Sequence, residues 1–253
     1  MNRQPESRGD PEKIAYYLLK SINKANRLYR LFEEGDRIAV AVSGGKDSAT
    51  LLDLLRRWPG LPRLDLAVIH VTHLDETCGA GVPPDVLQAW FDDLRLENRA
   101  VSMEPASGEP ARATQRPCFH CAWRRRKALF SIAREMGCNK VALGHHADDV
   151  AVTVLLNLVY QGRFETMQPV QPMFDGAFSI IRPMYLLEER EIVRYARSDP
   201  FPFAPATCNS EADARRSRMA EILRDLEGEN RHVKRSFMNA LEYACPPPAR
   251  KGK

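Results

Sequence analysis

The stretch Ile38-Ala39-Val40-Ala41-Val42-Ser43-Gly44-Gly45-Lys46-Asp47-Ser48-Ala49-Thr50-Leu51-Leu52 constrains this chain more than any other. An apolar run stops at two glycines, and a helical pattern starts at once. The run reads as a buried strand and the segment after Ser48 as an amphipathic helix. Adjacent glycines admit backbone conformations and close approaches that a Cβ would block. The N–H groups of such a turn, with the positive end of the following helix, form an anion cradle. Ser43 and Ser48 add hydroxyl donors and Lys46 adds a positive charge. A nucleotide phosphate is the expected anion. The spacing is not that of the common phosphate loop, which puts four residues between its first glycine and a Gly-Lys pair. Nor does it carry the spaced glycines of a dinucleotide fold.

Strand and helix patterns alternate around this turn. A helix is expected over 11–33, opened by Pro11 and ended by Gly35. The strand Arg37 to Val42 and a helix from about Ser48 to Arg57 follow. Then come a strand Leu66 to Val71, a helix Asp85 to Leu94 and a strand Asn98 to Met103. An irregular stretch Glu104 to Pro117 leads to a helix Ala122 to Met136, a strand Lys140 to Leu143 and a helix Val150 to Tyr160. Phe178 to Ile181 reads as a strand, with helices near 188–196, 211–226 and 230–243. Strands separated by helices imply an α/β fold, an open parallel sheet with right-handed crossovers and helices on both faces. The expected organisation is a tail and helix over 1–34, a nucleotide-binding domain over 35–187, a helical part over 188–245 and a disordered basic tail over 246–253.

No apolar stretch approaches the ~20 residues that span a bilayer. The polar opening MNRQPESRGDPEK lacks the apolar core of a signal peptide. A cytoplasmic protein without a membrane partner is the expectation. The net charge of +4 is a mild bias, but its distribution is uneven. Between Arg112 and Arg134 stand Arg116, Arg124, Arg125, Arg126 and Lys127, with no Asp or Glu. Such a block suits a polyanion or a solvated helix face.

Six cysteines are present, and a cytoplasmic chain keeps them reduced. Cys118-Phe119-His120-Cys121 puts two thiolates on one tight turn just before the basic helix, which suits a soft metal or an iron–sulfur cluster. Cys208 is the distant third candidate, and Cys78, Cys138 and Cys245 are others. The second cluster is Gly144-His145-His146-Ala147-Asp148-Asp149, where a strand ends and a ligand would sit. Adjacent carboxylates there can bind Mg²⁺ or take a proton. An Asp at that place also caps the next helix. On that reading Asp148 caps while Asp149 or His145 faces the ligand.

Ser43-Gly44-Gly45-Lys46-Asp47-Ser48 resembles the PP-loop of the N-type ATP pyrophosphatases, which split ATP between the α and β phosphates. The PP-loop, the C-x-x-C before a basic helix, the Gly-His-x-x-Asp-Asp segment and a later cysteine occur here in one order. Supporting stretches are Glu34-Gly35-Asp36-Arg37, Leu156 to Gly162 and Ile181-Arg182-Pro183-Met184. As a set, over roughly residues 11–245, they resemble the tRNA 2-thiocytidine synthetases. That resemblance implies an ATP-dependent tRNA sulfurtransferase acting on cytidine 32. Lys46, Asp47, Asp148 and Asp149 would be catalytic. Ala41, Ser43, Gly44, Gly45, Lys46, Asp47, Ser48, Gly144 and His145 would hold ATP, and Asp47 would help to hold Mg²⁺. Cys118, Cys121 and Cys208 would ligate a [4Fe–4S] cluster whose remaining iron carries sulfur. ATP would adenylate the cytosine C2 oxygen, sulfur would attack C2, and AMP would leave. Arg124, Arg125, Arg126, Lys127, Arg215 and Arg216 would hold tRNA phosphates. A sulfur donor such as a cysteine desulfurase and a homodimer are the other partners implied. A 2-thiouridine or lysidine type of PP-loop enzyme, a small-molecule sulfurtransferase and a non-catalytic binding module stay open at this point.

Overall fold

Alternation along β1 (Arg37–Val42) decides how the layers stack. Ile38, Val40 and Val42 are buried in one apolar cluster, and Ala39 in another on the opposite face. A strand buried on both faces belongs in the middle of an α/β sheet. The computed structural model describes residues 10–60, 62–73, 82–103, 117–198, 201–204 and 211–244. Among them the other strands are β2 (Asp65–His73), β3 (Glu97–Met103), β4 (Lys140–Ala142), β5 (Val170–Met173) and β6 (Phe178–Ile181). They form one sheet in the order β3-β2-β1-β4-β6-β5. The expected α/β fold is present, with one addition. β5 pairs antiparallel with β6, while the other neighbours run parallel. Its sequence, Val-Gln-Pro-Met, gives no alternating signal, and Pro172 is tolerated because the strand is at the edge.

The helices are α1 (Pro11–Tyr29), α2 (Lys46–Arg56), α3 (Pro84–Asp93), α4 (Pro117–Glu135), α5 (Ala147–Gln161), α6 (Glu189–Ala196), α7 (Glu211–Glu229) and α8 (Val233–Ala244). α1, α2, α3 and α6 cover one face, through residues such as Leu18, Leu51, Leu87 and Ile192. α4 covers the other through Leu129, Ile132 and Ala133, against Ala39, Ala67 and Val141. α5 packs on α7 through Val152, Met219 and Leu223, and on α8 through Val150, Val154 and Leu241. Each fully buried leucine on α2 contributes about 2–3 kcal/mol by leaving water.

Three helix ends differ from expectation. α1 stops at Tyr29, because Arg30 turns into the left-handed region (φ 56) and donates to the Asn26 carbonyl at 2.8 Å. The Asn26 side chain then accepts the Phe32 N–H at 2.9 Å, steering Leu31 and Phe32 into the core. Gly35 (φ 84) therefore serves the turn into β1 rather than the helix end. α4 starts at Pro117, so Cys118 and Cys121 fall in its first turn instead of before it. α5 starts at Ala147, so Asp148 and Asp149 are inside the helix.

The chain fills the sheet from β1 to β3 on one side, then crosses to β4 on the other. The carboxyl ends of β1 and β4 thus flank the switch point where α/β proteins bind ligands. A polar clamp holds the opposite ends of the same two strands. Buried Lys140 Nζ lies 2.7 Å from buried Asp36 and donates to the Leu31 carbonyl at 3.1 Å. Asn139 donates to Asp36 at 2.8 Å and accepts the Arg37 N–H at 2.9 Å. Removing one member leaves the other charge buried alone. Lys140→Ala is expected to lower stability by about 3–5 kcal/mol, read as a reduced midpoint in urea unfolding.

Candidate active site at the switch between β1 and β4

The turn after β1 is shaped by its own serines. Ser48 Oγ donates to the Gly45 carbonyl at 3.0 Å and accepts the Ser43 N–H at 3.0 Å. The Ser48 hydroxyl is thus spent on holding the loop, whereas Ser43 is exposed. Gly44 takes a positive φ of 80, and its carbonyl accepts the Ala204 N–H at 2.9 Å. Gly45 is the N-cap of α2 and offers no side chain to the first turn. The N–H groups there face outward with the positive end of the helix dipole. Gly144 fits against the same turn. A Cβ on it would lie 3.1 Å from the Asp47 carbonyl carbon and the Ser48 nitrogen, both backbone. Ala41 is half-buried at the end of β1. Buried His70, opposite Val42 in β2, hydrogen-bonds the Val42 carbonyl through Nδ1 at 2.6 Å and braces the strand just before the turn.

Charged side chains from several helices converge here. Lys46 Nζ lies 3.2 Å from Asp47 and 2.8 Å from Glu189 at the start of α6. His146, the N-cap of α5, has Nε2 at 3.8 Å from Asp47 and 3.5 Å from Asp149. Asp149 accepts the His146 N–H at 3.1 Å and pairs with Arg216 of α7 at 2.5 Å. His146, not Asp148, is thus the cap. Asp149 at the third helical position reaches back to it, as in a capping box. Asp148 lies on the other side of the His146 ring, 3.5 Å from its Nδ1. It accepts the Glu189 N–H at 2.8 Å and pairs with buried Lys234 of α8 at 2.5 Å, while Lys234 also meets Glu227 at 2.7 Å. Asp148 joins α5, α6 and α8.

These surroundings push the protonation states apart. Burial raises the Asp47 carboxyl above the usual carboxylate range, against the pull of His146 and Lys46. Burial would raise Asp149 too, but His146, Arg216 and His145 outweigh it and hold Asp149 low. Burial likewise opposes the Asp148 carboxylate, yet His146 Nδ1 at 3.5 Å, the Lys234 ammonium and the Glu189 N–H hold it well below its ordinary range. For His146, burial is outweighed by Asp148, Asp149 and Asp47, so its pKa rises. Its neighbour His145 is driven down to about 4, by burial first and then by Arg182, Arg216 and His146.

A family model described as a PP-loop domain matches residues 17–226. The tRNA-cytidine(32) 2-sulfurtransferase of Geobacter metallireducens is 38% identical over 243 residues, 93% of this chain and 92% of its own. That of Geobacter sulfurreducens is 39% identical over 246 residues, 93% of each. The chain belongs to the tRNA-cytidine(32) 2-sulfurtransferase family of PP-loop proteins. Among solved structures, the U34-tRNA thiolase NcsA from Methanococcus maripaludis, with its [4Fe–4S] cluster, matches the fold with a TM-score of 0.75. It is 22% identical, and the match covers 92% of this chain and 79% of that one.

For this member of the family, the structure gathers Lys46, Asp47, Gly144, His145 and Asp149 around the PP-loop. Cys118 and Cys121 sit three residues apart in the first turn of α4. Cys208 lies outside the described residues, as do Cys78 and Cys245, and Cys138 is buried. On α4, Arg125, Arg126 and Lys127 are exposed and Arg124 is half-buried; Lys127 sits over the Trp123 ring at 5.3 Å. Arg215 covers the Tyr160 ring at 5.1 Å, while Arg216 turns inward to Asp149. Sequence reasoning missed Glu189 and Lys234. An acidic first turn on α6 was the available signal for Glu189. Nothing local marks Lys234.

Gly144→Ala is expected to cost about 1–3 kcal/mol by overpacking two backbones, seen as a lower Tm. Asp148→Asn is expected to cost about 2–3 kcal/mol near neutral pH, because charge-assisted bonds are lost. The folded pKa of Asp148 is depressed, so its contribution is full above about pH 5 and fades as pH falls below about 4. Urea titrations of the two proteins should therefore differ most at pH 7 and by less at pH 3.

Proposed function

We propose that this chain thiolates tRNA at cytidine 32, adenylating the base with ATP. The carrying observation is the uncapped N-terminus of α2 beside Lys46, with Asp47, His146 and Asp149 converging on it from two strand ends. ATP phosphates would lie on the Gly44–Ser48 turn, where outward N–H groups and Lys46 bind anionic oxygen. Asp47 Oδ1 is buried and has no hydrogen-bond partner among the described residues. A hard cation held by one carboxylate plus substrate phosphates fits that oxygen, so Mg²⁺ would bind there.

The cytosine C2 oxygen would bond to the α-phosphorus as its bond to the β-phosphate oxygen breaks. That electron pair leaves with pyrophosphate. Arg216 and His146 hold Asp149 ionised beside the loop, and Asp148 fixes α5 against α6 and α8. Cys118, Cys121 and Cys208 are the thiolates that would hold a [4Fe–4S] cluster. Three thiolates are the right donor chemistry, and two stand in the first turn of α4. When bound, such a cluster supplies an iron without a protein ligand that can carry the sulfur, delivered by a donor such as a cysteine desulfurase. Arg125, Arg126 and Lys127 are exposed on the helix that carries the two cysteines, so tRNA phosphates would be held beside them. No helix among the described residues is long and apolar enough to cross a membrane.

The test is an anaerobic reaction with ATP, Mg²⁺, a sulfur source and unmodified tRNA, followed by nucleoside analysis. One AMP per 2-thiocytidine is expected, with about four irons per chain that Cys118→Ala and Cys208→Ala lose. Lys46→Ala should slow AMP formation about 10²–10³-fold. Formation of ADP, or AMP formed without 2-thiocytidine, would overturn the reading. Zinc in place of iron would overturn the cluster.

A further inference from the structure

Arg182, just beyond β6, is a guanidinium only 6% exposed, and no carboxylate pairs with it among the described residues. An unpaired buried charge is costly and persists where something else requires it. Its donors go to neutral acceptors. One terminal nitrogen donates to the Gln168 carbonyl, and the other to Gln171 Oε1 at 3.3 Å. The Nε–H donates to His145 Nδ1 at 3.3 Å.

That last bond has a chemical consequence. Arginine has no lone pair to offer, so its Nε–H only donates, and His145 Nδ1 must be the acceptor. A ring that accepts at Nδ1 carries its proton on Nε2. The groups facing His145 agree with this. Arg182, Arg216 and His146 are cationic neighbours, and Asp149 is the one carboxylate. Burial and those cations keep the ring neutral. Asp149 is already engaged by Arg216 and His146, so it does not need His145 as a counter-charge. No described residue takes Nε2. Two adjacent histidines therefore stand in opposite states, His146 favoured as the cation and His145 as the neutral ring. Such a split is a pattern of sites that do acid–base or electrostatic work.

We propose that Arg182 is a positioning residue that fixes His145 as the neutral Nε2–H tautomer, and that His145 donates this N–H to an anionic phosphate oxygen of the nucleotide during adenylation. The inference rests on the adenylation reading given above. No proton is transferred: the N–H stabilises charge on phosphate oxygen while pyrophosphate leaves. A neutral donor suits that role, because it gives no proton to the leaving group and pairs with no nearby carboxylate.

The experiment uses the full ¹⁵N-labelled chain, with ring nitrogens read by two-bond ¹H–¹⁵N correlation and His145 assigned through His145→Gln. In the wild type, His145 should be neutral with its proton on Nε2 from pH 6 to pH 8. Arg182→Met should mix the two tautomers and slow AMP formation at saturating ATP about tenfold, with a smaller change in KM. Arg182→Lys, which keeps a donor, should recover much of both. A wild-type ring protonated on Nδ1, or cationic at pH 7, overturns the proposal without any variant having to fold. An unchanged tautomer in Arg182→Met also overturns it, as does a shifted tautomer with unchanged turnover. If the wild type forms no 2-thiocytidine, the thiolation reading fails by itself, and AMP formation with the ring spectrum still decides the role of Arg182.

Discussion

The site depends on one contact between two backbones. At Gly144 the end of β4 rests on the first turn of α2, so close that a Cβ would lie about 3.1 Å from backbone atoms. That contact holds the start of α2 between two parallel strand ends. The helix start has no side-chain cap, so its partial positive charge stays available to an anion. The nearby charges then follow from electrostatics. Lys46 is balanced by Asp47 and Glu189, and His146 by the carboxylates that surround it. Few of these groups are free to choose their protonation state. Burial raises the cost of every unpaired charge, so each of these groups is held by a named neighbour.

The part of this arrangement written in consecutive residues was legible. The β1–turn–α2 segment announced a strand, a phosphate turn and a helix, because all three signals are local and agree. Gly-His-x-x-Asp-Asp was recognised as a second wall of the site for the same reason. Its internal division of labour was not. Asp148 looked like a cap, yet the cap is His146 and Asp149 reaches back to it. Aspartate has a strong preference for the cap, and histidine has none that a sequence reader would use.

What stayed hidden depends on distant partners. β5 exists because β6 offers an edge, and its own residues carry little strand pattern. Lys234 and Glu189 matter because α8 and α6 happen to end beside Asp148 and Lys46. Arg216 was expected on an RNA-facing surface, and packing of α7 on α5 brings it to Asp149. Arg182 was visible only as part of a motif. That its guanidinium is buried without a carboxylate is a property of the folded chain alone.

α2 and α6 are joined at two levels. Lys46 meets Glu189 near their starts, and seven residues along α2, or ~10 Å, buried Asp53 takes the Tyr195 hydroxyl at 2.5 Å and the Arg57 guanidinium at 2.7 Å. Two bolts at that spacing prevent the helices from sliding or pivoting independently. Past α6, the chain returns to dock Ala204 on the Gly44 carbonyl. The phosphate turn is thus tied to both helices and to residues 201–204. A substitution that shifts the Gly44 carbonyl therefore also disturbs the seat of residues 201–204.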